Sequence, residues 1–250
     1  MKVICVIPAR YGSTRFPGKP LVDIKGKPLI QWVYEKAEAC KKIEAVYVAT
    51  DDKRIFDAVQ GFGGNALMTT SDYQSGTDRI ADAVKGLSCD AVVNLQGDEP
   101  MMHPDTLDRT IELLQGDPRC AVATAMVKIK EKKEYLSPNA VKVVTTPEGK
   151  VLYFSRSPIP SRARIAPGGN FDRYFGFKHL GLYVFRKDVL LAFPKMKPSF
   201  LERLEQLEQL RFLENGYLIK AIETPHDSIG IDTPEDLQRL LDHLNLLEEK

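Results

Sequence analysis

The 250-residue sequence predicts an α/β fold: a mostly parallel central sheet carrying a mixed β insertion at about 122–190. Three features point to it. Apolar, β-branched runs such as Val3 to Ile7 and Ala91 to Leu95 read as strands buried on both faces. Between such runs, apolar residues recur at helical spacing, and strand–helix alternation is the pattern of a parallel sheet. From Ala121 the pattern changes: Val122, Thr124, Met126 and Lys128 alternate with apolar or small neighbours, and short strands separated by a turn follow.

The first strand closes at Pro8, which has no N–H to give a ladder. A loop with Arg10, Gly12, Ser13, Arg15, Gly18 and Lys19 follows. Pro28 opens a helix whose core face is Leu29, Ile30, Val33, Ala37 and Cys40. After a strand at Ala45 to Ala49, Asp51 caps a helix with Ile55, Phe56 and Val59 inward, and Gly61, Gly63 and Gly64 end it. Asn65 to Met68 reads as a further strand. Ser75 or Thr77 caps the next helix, with Arg79 in its first turn, where a cation opposes the helix dipole unless it faces an anion. The strand Ala91 to Leu95 runs into Gln96-Gly97-Asp98-Glu99-Pro100, and a helix follows at Pro104 to Leu114.

In the second half, Ala140 to Val144 and Val151 to Ser155 flank a Pro147-Glu148-Gly149 turn. Ser157 to Gly169 is a loop, and Leu182 to Phe185 a strand. Leu201, Leu204, Leu207, Leu210 and Leu213 step every three residues along one helix from Ser199 to Asn215, as a core stripe. A strand at Tyr217 to Ile222 precedes Gly230-Ile231-Asp232. Thr233 then caps the last helix, with Pro234 first inside it and Leu237, Leu240, Leu241, Leu244 and Leu247 on its face. No linker divides the chain, which reads as one domain over 1–250.

Composition sets limits. Charged residues make up 28% and hydrophobic residues 43%, as in a soluble globular protein. Lys+Arg 35 against Asp+Glu 34 leaves no basic field, which argues against a nucleic-acid partner. Cys5, Cys40, Cys89 and Cys120 form no CxxC pair and read as reduced, so a cytoplasmic address is expected. No stretch is long enough to span a bilayer.

The opening loop carries the first chemical signal. Arg10, Arg15 and Lys19 with Gly12 and Gly18, directly off a buried strand, suit a triphosphate; a basic surface loop is the plain alternative. It is not a Walker A loop, which would need Gly where Pro17 stands and Ser or Thr where Pro20 stands. Gly12 also lacks the second glycine of a dinucleotide fingerprint. Asp98 falls off the carboxyl end of a strand, where α/β sheets bind ligands; it either ligates a hard divalent cation or caps the following helix. Asp232, one residue outside the last cap, is a second candidate ligand.

The segments IPARYGSTRFPGKPL, QSGTDR, NLQGDEPM, NAVKVV, YFSR, HLGLY, LEQLEQLR and GIDTPEDL, in this order, resemble the bacterial 3-deoxy-manno-octulosonate (KDO) cytidylyltransferases, the CMP-KDO synthetases, almost end to end. The first segment is shared with other cytidylyltransferases, including the sialic-acid enzymes; YFSR, HLGLY, LEQLR and DTPEDL point to the KDO branch. The resemblance implies a Rossmann-like nucleotidyltransferase fold and the reaction of CTP with KDO to CMP-KDO and pyrophosphate, for lipopolysaccharide biosynthesis. It implies two magnesium ions, one brought with CTP, and a homodimer, with 122–190 as its dimerisation region. By position, Asp98 and Asp232 would hold a metal, with Lys19 the third catalytic group. Arg10, Gly12, Ser13, Arg15, Lys19, Ser75, Gly76 and Arg79 would bind the nucleotide. Gln96, Arg156, His179, Tyr183, Glu208 and Gln209 would surround the sugar acid.

Arg156 can offer the KDO carboxylate a bidentate fork. His179 would be a sugar ligand rather than a catalyst, with a purely structural histidine as the alternative. Glu208 and Gln209 read from the residues alone as solvated helix polars. A transferase for 8-amino-KDO or a sialic-acid-like sugar is the rival function, with selectivity residing in the loop 161–176. A glycosyltransferase would carry Asp-x-Asp where Asp98-Glu99-Pro100 stands, and a catalytically dead nucleotide binder would often have lost one of the two aspartates.

Overall fold

A computed structural model of the chain describes residues 1–12, 16–70, 73, 75–164 and 175–248. Ser13, Arg15, Arg173 and the side chain of Leu247 lie outside the described residues, as does most of the loop 161–176. The chain forms two compact units: Met1–Asp108 with Ser228–Lys250, and Arg109–Asp227. The insertion expected at about 122–190 falls within the second.

The first unit runs β1 (Val3–Ala9), a small antiparallel pair β2 (Asp23–Ile24) and β3 (Lys27–Pro28), α1 (Leu29–Glu38), β4 (Ala45–Thr50), α2 (Lys53–Gly61), β5 (Asn65–Met68), α3 (Gly76–Ala83), β6 (Ala91–Leu95) and the start of α4 (Pro104–Gly116). Its main strands lie in the order β6-β1-β4-β5, all parallel. All five residues of β6 are buried, as are Val3 to Ile7 of β1, so both strands are covered on both faces, as their unbroken apolar runs require. Leu29, Ile30, Val33 and Ala37 of α1 are fully buried; each large aliphatic among them stabilises the fold by about 1.5–3 kcal/mol.

Two local expectations are corrected. Pro8 does not end the first strand: it lies opposite Ala49, and Ala9 opposite Thr50. The ladder to β6 runs only from Val3 to Val6, so beyond it a missing N–H breaks no pairing on that side. Asp51 does not cap α2. Asp52 does, accepting from the Arg54 N–H at 2.9 Å. Asp51 is left for another partner.

The second unit contains β7 (Val122–Ile129), α5 (Lys132–Leu136), β8 (Lys142–Thr145), β9 (Val151–Ser155), β10 (Gly176–Arg186), α6 (Lys187–Ala192), α7 (Phe200–Glu205), α8 (Gln209–Glu214) and β11 (Ile219–Glu223). β7 runs parallel to β11 and antiparallel to β10; β10 pairs with β8, and β8 and β9 form the expected hairpin. The alternation seen in β7 does not mark a half-exposed strand, because every position except Lys128 is buried. Lys142 is among the largest fully buried side chains of the described residues, and its ammonium donates to three backbone carbonyls: Ser137 (2.7 Å), Ala140 (2.6 Å) and Arg156 (2.5 Å).

The leucine helix expected from Ser199 to Asn215 is broken. α7 stops at Glu205, Gln206 takes a left-handed conformation (φ 54°), and α8 restarts at Gln209. The cause is long-range. Arg156 Nε donates to Glu205 O at 2.8 Å and Nη2 to Gln206 O at 3.3 Å, taking carbonyls that a continuous helix would use internally. The stripe divides accordingly: Leu207 and Leu210 are buried, while Leu204 is 66% exposed.

The chain returns to the first unit with α9 (Pro234–Glu248). Its start is capped as expected: the Asp236 N–H donates to Thr233 Oγ1 at 3.2 Å, and the Thr233 N–H donates to Asp236 Oδ2 at 3.0 Å. The four cysteines are free; burial pushes the thiols of Cys40 and Cys120 up to about 12 and about 11, so both stay protonated at neutral pH.

Candidate active site

At the carboxyl ends of β1 and β6 the first unit opens into a cavity of about 300 Å³. Arg10, Lys19, Ser75, Gly76, Arg79, Gln96, Asp98 and Asp232 all line it, so the structure brings together residues spread over most of the unit's sequence. Gly12 is not among the lining residues. Three local devices shape the walls. Gly18, at φ 73°, turns the loop and lies against the Tyr11 ring, delivering Lys19 into the cavity. Gly97 has an ordinary φ; its requirement is space, because a Cβ there would stand 2.9 Å from Pro8 O. Ser75 caps α3, accepting from the Asp78 N–H at 3.1 Å, so a dipole-positive helix start lines the cavity.

Lys19 and the two aspartates form the centre. The ammonium lies 2.8 Å from Asp98 Oδ2, 2.7 Å from Ile231 O and 3.3 Å from Asp232 Oδ1. Asp98 sits three residues past β6, and α4 begins only at Pro104, so Asp98 is not its cap. The segment carrying Asp232 is tied to the end of β6: the Ile231 N–H donates to Asp98 O at 2.9 Å, and the Ser228 hydroxyl donates to Glu99. Two carboxylates and a carbonyl thus converge on one cation. Such a set of hard oxygen ligands is the kind that a small divalent ion takes.

Arg79 is neither solvated nor isolated. Its side chain is 6% exposed, with Nη1 3.2 Å from Asp51 Oδ1 and 2.6 Å from Thr69 Oγ1. Sequence reasoning missed Asp51, Thr69 and the cavity-lining Tyr73, since residues just past strand ends read alone as capping or loop residues. Gln96 is held by Asn94, whose Oδ1 accepts from its Nε2 at 3.0 Å. Asn94 is fully buried, and its position two residues before Gln96 in NLQGDEP was a signal for that role.

The other expected sugar-acid residues, Arg156, His179, Tyr183, Glu208 and Gln209, belong to the second unit. Arg156 directs three of its N–H groups to the carbonyls of Pro138, Glu205 and Gln206. Its backbone N–H donates to Glu205 Oε2 at 2.8 Å. Glu208 and Gln209 stand at the start of α8, because the break at Gln206 restarts the helix there; Gln209 is buried. Tyr183 is buried too, and burial first, then the charge of Glu208, pushes its phenol well above the usual range, so it remains an O–H donor.

His179 lies at an irregularity of β10 between His179 and Tyr183, its ring against Phe154 (5.1 Å) and Tyr183 (5.0 Å). The Thr124 hydroxyl spends its hydrogen on Leu182 O at 2.5 Å, so at 2.9 Å from His179 Nε2 it accepts. That assigns the proton to Nε2 and leaves Nδ1 an acceptor. Burial lowers the imidazole from 6.5 to about 3, so it is neutral at pH 7. The unfolded chain therefore binds a proton below pH 6.5 that the folded chain takes up only near 3. Stability from this group is full above 6.5 and is lost as pH falls toward 3. Urea denaturation is expected to show about 2 kcal/mol lost from this source between pH 7.5 and pH 5, and His179→Gln is expected to lack that component. An unchanged pH dependence in His179→Gln would contradict the assignment.

Comparison with known proteins identifies the family. The cytidylyltransferase family model matches residues 4–223. The chain is 49% identical over 98% of its length, and 99% of the relative's, to 3-deoxy-manno-octulosonate cytidylyltransferase of Geotalea uraniireducens (strain Rf4). It is 47% identical over 98% of its length to the enzyme of that name from Geobacter sulfurreducens, covering 100% of that relative. It also matches the structure of CMP:2-keto-3-deoxy-manno-octonic acid synthetase complexed with CTP, at 42% identity and a TM-score of 0.90, over 98% of this chain and 99% of that one. With an α/β fold that superposes along nearly its whole length and a sequence matched end to end, the chain belongs to the 3-deoxy-manno-octulosonate cytidylyltransferase family, within the cytidylyltransferases.

Proposed function

We propose that this chain transfers the cytidylyl group of CTP to KDO, giving CMP-KDO for lipopolysaccharide biosynthesis and pyrophosphate. The observation that carries the reading is the 49% identity, over 98% of the chain, to a 3-deoxy-manno-octulosonate cytidylyltransferase. The cavity chemistry supports it. Arg10, Lys19 and the start of α3 supply positive charge and N–H groups for a triphosphate, and Asp98 and Asp232 supply carboxylates.

In the reaction, the C2 hydroxyl oxygen of KDO forms a bond to the α-phosphorus. The bond from that phosphorus to the bridging oxygen of pyrophosphate breaks, the electron pair leaves with pyrophosphate, and the hydroxyl proton passes to solvent. Such a transfer depends on alignment and on neutralising charge as it grows on the leaving group. Arg10 and Lys19 do the latter, and Lys19 also keeps the two carboxylates together. Gln96, held by Asn94, presents its amide at the same cavity.

Magnesium belongs to the same proposal. The ammonium of Lys19, standing between Asp98 and Asp232, supports it, since the two carboxylates already face a cationic group. Asp98 and Asp232 would hold one ion, and a second would arrive with CTP. Bound there, magnesium would neutralise phosphate charge and make the sugar hydroxyl more acidic. The KDO ligands of the second unit would be Arg156, His179, Tyr183, Glu208 and Gln209, with neutral His179 offering an acceptor and Tyr183 a donor. We assign the working enzyme to a homodimer in the cytoplasm. Its free cysteines and the exposed Phe200 and Leu204, one turn apart on α7, support that, and no helix among the described residues is long and apolar enough to cross a membrane.

The test is pyrophosphate release from CTP with KDO, 8-amino-KDO and sialic acid in turn. KDO is expected to give the fastest release. Failure of all three acids to give release would overturn the reading, and faster release with either of the other two would move the activity to that acid.

A further inference from the structure

We propose that Asp51 and Thr69 are positioning residues that lock the Arg79 guanidinium in the orientation that selects cytosine over uracil. The inference rests on the cytidylyl-transfer reading of the cavity. Asp51 stands one residue past β4 and has no capping duty, since Asp52 caps α2. Thr69 stands one residue past β5, fixed by its N–H to Thr50 O at 2.8 Å. The carboxyl ends of two adjacent parallel strands therefore bring one carboxylate (3.2 Å) and one hydroxyl oxygen (2.6 Å) to the same nitrogen, Arg79 Nη1. Thr70 O lies 3.5 Å from it as well.

A guanidinium that is 6% exposed carries a desolvation cost that surface arginines avoid, so its pairing holds it in one place. All the hydrogen bonds described for it fall on Nη1. The Nε–H and Nη2 groups have no acceptor among the described residues, yet Arg79 lines the cavity. The result is a fixed edge of donors beside the nucleotide pocket. Arg has no acceptor. Cytosine offers two neighbouring acceptors, O2 and N3, to such an edge; uracil replaces the second with an N–H, which would meet a donor head-on. Selection then depends on the edge staying where it is, which is the task of Asp51 and Thr69. A site built for a specific hydrogen-bonding pattern rejects the wrong partner strongly because its own groups are left unpaired.

The test is calorimetric binding of CTP and UTP to the full chain without sugar acid, alongside KM and kcat for both substrates. Wild type is expected to prefer CTP. Asp51→Ala is expected to reduce the CTP:UTP affinity ratio by about 10-fold or more, with KM for CTP raised, kcat little changed and KM for KDO unchanged. Asp51→Glu is expected to recover part of the ratio. If Asp51→Ala does not fold, Thr69→Val, which retains the carboxylate, takes its place with a smaller reduction in the ratio. An unchanged ratio in the folded variant overturns the proposal, as does equal binding of CTP and UTP by wild type. Arg79→Met separates the two layers: a ratio unchanged in that variant removes Arg79 from base selection. Selective CTP binding without pyrophosphate release would instead sink the transfer reaction and leave the positioning role standing.

Discussion

Asp98→Asn and Asp232→Asn are each expected to lower the rate of pyrophosphate release by about 10³-fold or more, with the fold retained. The two carboxylates come from the two separate stretches of chain that make up the first unit and meet at one ammonium, 2.8 Å and 3.3 Å away. Asparagine keeps the shape and one acceptor oxygen, so Lys19 still finds a partner and the Ile231–Asp98 backbone bond is untouched. What is lost is one negative charge from the site proposed to hold magnesium beside phosphates, and neutral amides hold magnesium poorly. Near-normal turnover of either variant at ordinary magnesium would remove that aspartate from the proposed metal site. Direct titration with Mn²⁺ provides a readout independent of turnover: each variant is expected to lose the affinity that wild type displays. Unaltered Mn²⁺ binding would locate the ion elsewhere.

The largest effect on stability is expected from Lys142→Met. Lys142 is fully buried and saturates its ammonium on three carbonyls. Methionine fills most of the volume but leaves those oxygens without a donor, at about 1–3 kcal/mol each before relaxation. A net loss of about 3–5 kcal/mol follows, or a fall in Tm on the order of 10 °C. Denaturant unfolding measures it directly, and a loss under about 1 kcal/mol would mean that the carbonyls are satisfied without the lysine. The same substitution is expected to raise KM for KDO more than KM for CTP. Lys142 ties Ser137 and Ala140 to the Arg156 carbonyl, and the Arg156 guanidinium reaches Pro138 in the same loop.

Local patterns carried much of the architecture. The runs Val3–Ile7 and Ala91–Leu95 became β1 and β6, because a strand shielded on both faces needs no polar alternation. Thr233, Pro234 and Asp236 made the start of α9 legible, since capping depends on side chains within four positions of one another. The cations and glycines of the opening loop marked it as a candidate phosphate site, and Asp98 and Asp232 stood out as carboxylates at the ends of elements; the structure places Arg10, Lys19 and both aspartates at one cavity. For Arg156, His179, Tyr183, Glu208 and Gln209, only the family resemblance singled them out, because each reads alone as an ordinary core or surface polar.

The misreadings share one cause. Asp51 and Asp52 are adjacent, and either can cap a helix; the choice fell to Arg79, twenty-seven or more residues along the chain, which needed a carboxylate in the interior. The leucine stripe had helical spacing throughout, yet Arg156 took the carbonyls of Glu205 and Gln206 and broke it. Gly97 is needed for its missing side chain, because Pro8 O comes within 2.9 Å of where a Cβ would be, a contact no local pattern reveals. By itself, the sequence determined most of the main strands and helices of the first unit and which charged residues lie at strand ends. Tertiary structure alone decided which of those charges meet: Lys19 with Asp98 and Asp232, Arg79 with Asp51, and Lys142 with three carbonyls. The reason is physical. Propensity and capping act over a few residues, whereas a buried charge must be satisfied by whatever the fold brings within about 3 Å, however distant in sequence.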